Sequence, residues 1–245
     1  MLKGICFLLV ALTPLFGAAA SAPSADEIIQ HVVTQDKILV QRRKAFDYDI
    51  AITREKLDED RKVVSTETDH AVVPGDQRPG YGTRGTAGDP QQEAQKTSRE
   101  EPFELLKIIN HYKYTLQGTE VVNGVECYRI AFTPKPDMPY DNREEKVLNH
   151  VAGHIWASTQ DYSVVRNEGS LTEPVPVAWI FATLREMQFH FDSMKLPNGD
   201  YGPGYLQYRY LVDIPFMQLS ERDTRKMSNY RAAGTGNSAH LPVAQ

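Results

Sequence analysis

A predicted β-hairpin over residues 112–132 constrains the fold of this chain more than any other segment. Its sequence, YKYTLQGTEVVNGVECYRIAF, places the dipeptide Asn123-Gly124 between two strand-like runs. Asn and Gly both accept the positive φ angles that a tight type I′ turn requires. Apolar residues alternate with polar ones in both arms: Tyr112, Tyr114, Leu116, Tyr128, Ile130 and Phe132. The segment therefore predicts two antiparallel strands with one apolar face and one solvated face.

The same alternation recurs along most of the chain. It is clearest in residues 46–52, where every second residue is aromatic or aliphatic. Further strands are predicted over residues 63–73, 147–158, 162–169, 187–191, 206–212 and 216–227. The last of these is polar enough that we predict an edge position for it. The whole pattern indicates roughly eight to ten antiparallel strands that share one apolar face.

Helical periodicity is confined to short parts of the sequence. Residues 26–44 repeat apolar side chains at helical spacing, and either Ser24 or Asp26 is suited to cap the first turn. A short helix is predicted over residues 103–109, behind Pro102. One or two helical turns are predicted around Ile180, because apolar residues are at helical spacing there. The predicted fold class is therefore mainly β (α+β), with an N-terminal helix ahead of an antiparallel sheet.

The domain organisation follows from the two ends of the chain and one internal stretch. Residues 1–20 combine Lys3, an apolar run and small residues, which is typical of a cleaved signal peptide. The alternative, a membrane anchor, needs a longer apolar run of roughly 20 residues. Residues 74–100 are rich in glycine and proline and predict a mobile loop. We predict an exported protein with one domain over residues 21–232 and a flexible tail over residues 233–245.

Charge and cysteine content narrow the possible partners. The net charge of −5 argues against nucleic acid as the main partner, and no Lys/Arg run is long enough to change that. Signal cleavage would leave Cys127 as the single cysteine, which excludes an intramolecular disulfide. Cys127 is then either a reactive thiol or a small buried hydrophobe. Its place in a predicted strand beside Tyr128 favours the second interpretation.

No group of residues carries a recognisable catalytic or metal-binding motif. His150 and His154 have the spacing of helical zinc ligands, but Val151 stands where such motifs have Glu. A strand would also hold the two imidazoles about 13 Å apart. Other candidates for acid–base or nucleophilic chemistry lack a supporting context: Asp47, Asp49, Glu144, Glu145, Ser170 and Ser220. We therefore predict no enzymatic activity, no cofactor and no metal.

The hairpin and the strands that follow it resemble the LolA/LolB-like superfamily of outer-membrane lipoprotein carriers. In such proteins a G-x-x-C-Y strand is often followed by a W-x-x-x-x-D-Y-x-V-x-R hairpin. Gly124, Cys127 and Tyr128 match the first motif. The second motif is matched by Trp156, Asp161, Tyr162, Val164 and Arg166. The likeness covers much of the chain after the signal peptide, and its motifs are structural.

The resemblance implies a strongly curved antiparallel sheet that forms an unclosed half-barrel. The N-terminal helix and short loop helices would cap its concave face. It also implies a periplasmic carrier or chaperone for a lipid or lipidated protein, with a membrane-bound donor or acceptor. An alternative is a sensor or scaffold that binds a protein partner. We expect a monomer.

Under the carrier interpretation, the apolar face of the sheet would line a cavity for acyl chains. The residues predicted to line it come from four strands: Phe46, Tyr48, Ile50, Ile52, Tyr128, Ile130, Phe132, Phe189, Phe191, Tyr208 and Tyr210.

Overall fold

The computed structural model describes residues 23–75, 109–178 and 182–234. Two helices lie in this part of the chain, α1 (Ala25–Arg43) and α2 (Arg143–Leu148). The strands are β1 Phe46–Leu57, β2 Val63–Val73, β3 Tyr112–Val122, β4 Val125–Pro134, β5 Val151–Ser158, β6 Val164–Leu171, β7 Val175–Ala178, β8 Ala182–Lys195, β9 Tyr201–Ile214 and β10 Met217–Ala232.

All ten strands belong to one sheet, and every pairing in it is antiparallel. The strand order is β2-β1-β10-β9-β8-β6-β5-β4-β3, with β7 paired to β8 outside this path. Within the described residues β2 and β3 end the sheet and do not pair with each other. The predicted fold class, a mainly β chain with an unclosed antiparallel sheet, is confirmed.

The hairpin predicted over residues 112–132 forms between β3 and β4. Asn123 and Gly124 have φ angles of 52° and 77°, the positive values that a type I′ turn needs. In the ladder between β3 and β4, Leu116 lies opposite Ile130 and Tyr114 lies opposite Phe132. Directly opposite residues point to the same face, so the apolar side chains of both arms share one side of the sheet.

Helix α1 begins with a capping box. The Ser24 hydroxyl accepts a hydrogen bond from the Glu27 amide at 3.2 Å, and the Ser24 amide donates to the Glu27 carboxylate at 2.7 Å. These bonds satisfy amide groups that the first helical turn leaves unpaired. The stripe predicted from periodicity is buried at Ile28, Ile29, Val32, Val33 and Leu39. Ile38, predicted to extend it, is exposed instead.

The sheet bends around α1. The helix contacts both β3 and β9, and Leu39 packs in one cluster with Val122 of β3 and Tyr201 of β9. These two strands are five places apart in the strand order. In a flat sheet that separation would be about 24 Å, roughly twice the diameter of a helix. A single helix touches both strands only because the sheet is strongly curved.

The prediction of a strand from residue 147 is wrong at its start. Helix α2 occupies residues 143–148, and β5 begins at Val151. The Asn142 side chain caps this helix by accepting a hydrogen bond from the Glu145 amide at 2.8 Å. The apolar pair Val147 and Leu148 packs against the sheet from the helix instead of extending the strand.

Two of the residues predicted to form helical turns around Ile180, Val177 and Leu184, lie in strands instead. Val177 lies in β7, which pairs with β8 so that Val175 is opposite Leu184. Ile180 itself lies outside the described residues. Gly202, Pro203 and Gly204, residue types that favour turns, also lie inside a strand, β9.

The prediction that the last strand is an edge strand is wrong. Strand β10 lies between β1 and β9 in the interior of the sheet. Its polar side chains are matched by charges on the neighbouring strand, as in the bond from Arg222 to Glu55 at 2.6 Å. Ion pairing across strands therefore lets a polar strand occupy a central position.

Several predictions fall outside the described ranges. They are the signal peptide over residues 1–20, the loop over residues 74–100 beyond Gly75, the helix before Ile109, and the tail beyond Gly234. Neither described helix combines the length and the apolar character that crossing a bilayer requires.

Candidate functional site

The face of the sheet that packs against α1, here called the concave face, can be followed across nine strands. Ile130 packs against the helix and defines this side. The register of the sheet then carries the face through one row of directly opposite residues. That row runs Leu116, Ile130, Ile155, Asn167, Phe191, Leu206, Arg225, Ile52 and Asp69.

Ten of the eleven residues predicted to line a cavity share this face. They occupy alternate positions on four strands: Tyr48, Ile50, Ile52, Tyr128, Ile130, Phe132, Phe189, Phe191, Tyr208 and Tyr210. The eleventh, Phe46, is the first residue of β1, beyond an irregular step between Asp47 and Asp49. Phe46 takes no part in the four hydrophobic clusters that the described residues form.

The concave face is covered unevenly. Under α1, Ile130 is fully buried against the apolar stripe of the helix. Beside α2, Phe132 and Phe189 pack in a cluster with Val147 and Leu148. Occupation of either region by a ligand would require a helix to move.

A third cluster on this face contains no helix residue. It lies on β1, β2, β8, β9 and β10, around buried Tyr48, Ile50 and Leu206. Half-buried side chains surround these, among them Ile52, Phe191 and Tyr208. We call this third region the open limb of the concave face.

Two small cavities accompany these surfaces. One of about 200 Å³ lies beside α2 and is lined by His111, Pro139, Asp141 and Glu145. The other, about 40 Å³, lies where the end of α1 meets the sheet, between Leu39, Phe191 and Tyr201. Both are smaller than the roughly 300–1,000 Å³ of typical ligand pockets. The candidate binding surface is therefore the open limb together with the space beneath α1.

The open limb ends in a group of charges that the sequence did not predict. Arg54 lies 2.7 Å from Asp69 and 3.9 Å from Asp223, and Arg225 lies 3.1 Å from Asp223. All four belong to the concave face by register. Their mutual pairing balances the charge, so the face divides into an apolar part and a paired polar part.

A second feature that the sequence did not predict is a polar atom in the middle of the row. The Oδ1 atom of Asn167 is buried without a hydrogen-bond partner among the described residues. It lies between Ile155 and Phe191 in the register of the sheet. An unpaired buried acceptor is costly, so this position could accept a bond from a donor on a bound molecule or water.

Three of the residues considered for acid–base chemistry have structural roles. Asp47 accepts a hydrogen bond from the Gly75 amide at 2.9 Å, and Asp49 pairs with Arg231 at 2.8 Å. Glu145 is buried and accepts bonds at the start of α2. His150 pairs with Glu173 at 2.8 Å. In the described ranges, no three metal-ligating side chains are grouped to hold an ion.

The convex face carries a second ionic network. His190 lies between Glu168 at 2.9 Å and Asp192 at 2.7 Å, and Arg166 donates to Asp192 at 2.7 Å. Burial pushes the pKa of Asp192 upward, but its bonds from Arg166 and His190 outweigh that effect and hold the pKa below its usual range. These groups stabilise pairing between β6 and β8 and leave the concave face to apolar contacts.

Cys127 is fully buried, as the sequence predicted. Burial raises the pKa of its thiol to about 11. Since only the thiolate reacts, we expect Ellman's reagent at pH 7.5 to label the folded protein at least about 100-fold more slowly than the urea-unfolded protein. A Cys127→Ser variant supplies the background rate. Equal rates in the folded and unfolded protein would contradict the buried position.

An open antiparallel sheet wrapped around an N-terminal helix defines the class of fold. Among solved structures, the chain is similar to a DUF1329 family protein from Desulfovibrio piger, with 16% identity, 89% of this chain and 97% of that chain covered, and a TM-score of 0.41. It is also similar to a LolA superfamily protein from Nitrosomonas europaea, with 11% identity, coverage of 86% and 94%, and a TM-score of 0.32.

A third similar structure is a putative outer membrane lipoprotein-sorting protein domain from Vibrio parahaemolyticus, with 8% identity, coverage of 86% and 95%, and a TM-score of 0.37. These similar structures include a LolA superfamily protein, the superfamily whose motifs the sequence resembles. At these identities the likeness is one of fold alone. No family model and no curated protein matches the chain.

Proposed function

We propose that this protein is a periplasmic carrier or chaperone that shields acyl chains of a lipid or lipidated protein against its concave face. Residues 1–20 would direct export, and no covalent chemistry is involved. The observation that carries the proposal is the placement of ten predicted lining residues on one face of a curved sheet. Burying an acyl chain releases about 0.8 kcal/mol per methylene, so ten buried methylenes supply about 8 kcal/mol.

The end of α1 is the part of the cover that can open at least cost. Arg42 ties it to Asp200 at 3.1 Å, with 59% of the Arg42 side chain and 15% of the Asp200 side chain exposed. An ion pair whose cation stays in water contributes on the order of 1 kcal/mol. Leu39 is the one buried side chain in the second half of the helix. Lifting this end would enlarge the 40 Å³ cavity toward the open limb.

A pair of variants on one strand tests the proposal. Ile52 and Thr53 are adjacent, half-buried and on opposite faces of β1. With a fluorescent C16 fatty acid as the probe, we expect Ile52→Asp to weaken binding at least tenfold, because a carboxylate on the apolar face must be desolvated. Thr53→Asp should stay within twofold of the wild type. Failure of the wild type to bind the probe, together with no lipid in a detergent-free mass spectrum, would refute the carrier function.

The small volume of both cavities favours one alternative, a sensor or scaffold that binds a protein. In that case the concave face is a packed core, and no ligand displaces α1. A purified complex with one stoichiometric protein partner and no lipid would support this alternative over the carrier.

A further inference from the structure

The turn between β9 and β10 exposes large apolar side chains. Ile214 lies opposite Met217 in the ladder, so Pro215 and Phe216 form the two-residue turn. We call these four residues the 214–217 tip. Relative to the same residue in an extended peptide, Phe216 is 108% exposed and Met217 is 57% exposed. Folding of the described residues therefore leaves Phe216 without burial and Met217 more than half exposed.

The backbone at Phe216 is unfavourable for phenylalanine. Its φ angle is +68°, in the left-handed region. A proline followed by a residue of positive φ is the arrangement of a type II turn, which favours Gly or Asn at the second position. Phenylalanine is thus disfavoured here both by its backbone and by its exposure to water.

The tip continues the concave face. Val212 lies opposite Leu219, and Ile214 lies opposite Met217 two residues further along both strands. The period of two places Ile214 and Met217 on the same side as Val212 and Leu219. The 214–217 tip therefore forms the rim of the apolar face, where a molecule docked on the protein would sit beside that face.

The surroundings of the tip are acidic. The turn between β1 and β2 lies at the same end of the sheet, because Leu57 is opposite Ser220. Three cations in this region are paired with carboxylates, Arg61 with Glu186, Lys62 with Asp60 and Arg185 with Asp213. Two further carboxylates, Asp58 and Glu59, make five acidic groups against three basic ones. An anionic membrane surface is therefore disfavoured and a basic partner favoured.

We propose that the 214–217 tip is a docking site for a protein partner that presents an apolar surface bordered by basic residues. Phe216 is the anchor on that surface, and Met217 adds an adaptable apolar contact. The acidic groups around the tip orient the partner and speed its association. Docking goes beyond the carrier function and does not depend on it, because the tip contains none of the proposed acyl-chain contacts.

The test uses a labelled amphipathic helical peptide of Leu and Lys as the probe, with its Leu and Glu counterpart for comparison. Fluorescence anisotropy should show binding of the Lys peptide to the wild type, with affinity that falls as salt is raised. We expect Phe216→Asn to weaken this binding at least tenfold. The same substitution should raise the Tm by about 2–4 °C, since Asn suits the turn.

Val64→Asn is the matched control, because Val64 is also a largely exposed apolar residue at this end of the sheet. Its affinity should stay within twofold of the wild type. Equal losses in both variants, no loss in Phe216→Asn, or no binding by the wild type would overturn the proposal. Phe216-dependent sedimentation with phosphatidylethanolamine/phosphatidylglycerol vesicles, or Phe216-dependent dimerisation, would overturn it in favour of a membrane or a second copy. Fatty-acid binding should be unchanged in Phe216→Asn, so the two functions fail separately.

Discussion

Replacing Gly153 by alanine is expected to lower the free energy of unfolding by about 3 kcal/mol or more. A Cβ atom at this position would lie 1.9 Å from the carbonyl oxygen of Glu168 and 2.7 Å from the Cα atom of Gly169. Both are backbone atoms of β6, directly across the ladder from β5. Since backbone cannot rotate away, the two strands must separate and their hydrogen bonds must lengthen.

Urea unfolding followed by tryptophan fluorescence measures this loss. Ser170→Ala is the control, because Ser170 is an exposed residue of β6 opposite Ala152, one position from the glycine pair. The control should change stability by less than about 0.5 kcal/mol. A Gly153→Ala protein as stable as the control would show that β5 and β6 are not paired in this register.

Truncation of Ile130 to alanine is expected to lower the free energy of unfolding by about 2–5 kcal/mol. Ile130 has no exposed surface and packs beneath Ile28, Ile29 and Val32 of α1. The cavity left by the missing atoms would lie between the helix and the sheet, so both lose contacts. Chemical denaturation measures the loss, and hydrogen exchange in α1 should accelerate in the variant.

Val121→Ala is the matched control for Ile130→Ala. Val121 belongs to the same hairpin but is 69% exposed, so its truncation should change stability by less than about 0.5 kcal/mol. Equal destabilisation by both substitutions would mean that α1 does not pack on the β4 side of the sheet.

Local signals explain the parts of the fold that the sequence predicted well. The Asn123-Gly124 turn and the alternation on either side define the central hairpin without reference to the rest of the chain. The apolar stripe and Ser24 define α1 in the same way. Helix α2 was missed although Asn142 followed three residues later by Glu145 is a start signal. The neighbouring Val147 and Leu148 fit either a strand or a helix.

Pairings distant in the sequence could not be predicted. Strand β10 was placed at an edge because it is polar, and nothing local reveals that Arg222 meets Glu55 across the ladder. The contact of α1 with β9 likewise joins segments that are far apart in the chain. Such choices among strands depend on tertiary packing, which local propensity does not encode.

In the candidate site, too, local patterns could be predicted from the sequence and contacts between distant segments could not. Period-two alternation predicted which side chains share the concave face, and ten of eleven do. It could not predict that Ile130 lies under α1 while Ile52 belongs to the open limb. The pairing of Arg54 with Asp69 and the buried oxygen of Asn167 also depend on neighbours that only the strand order supplies.

Because α1 contacts both β3 and β9, the position of the helix is coupled to the width of the sheet's concave side. While the helix is in place, it holds close together two strands that are far apart in the strand order. A ligand bound beneath the helix would separate those strands and reduce the curvature of the sheet. The ligand-bound protein should therefore be wider than the ligand-free protein. A partner protein that recognises the shape of the sheet would then distinguish the ligand-bound from the ligand-free state without contacting the ligand.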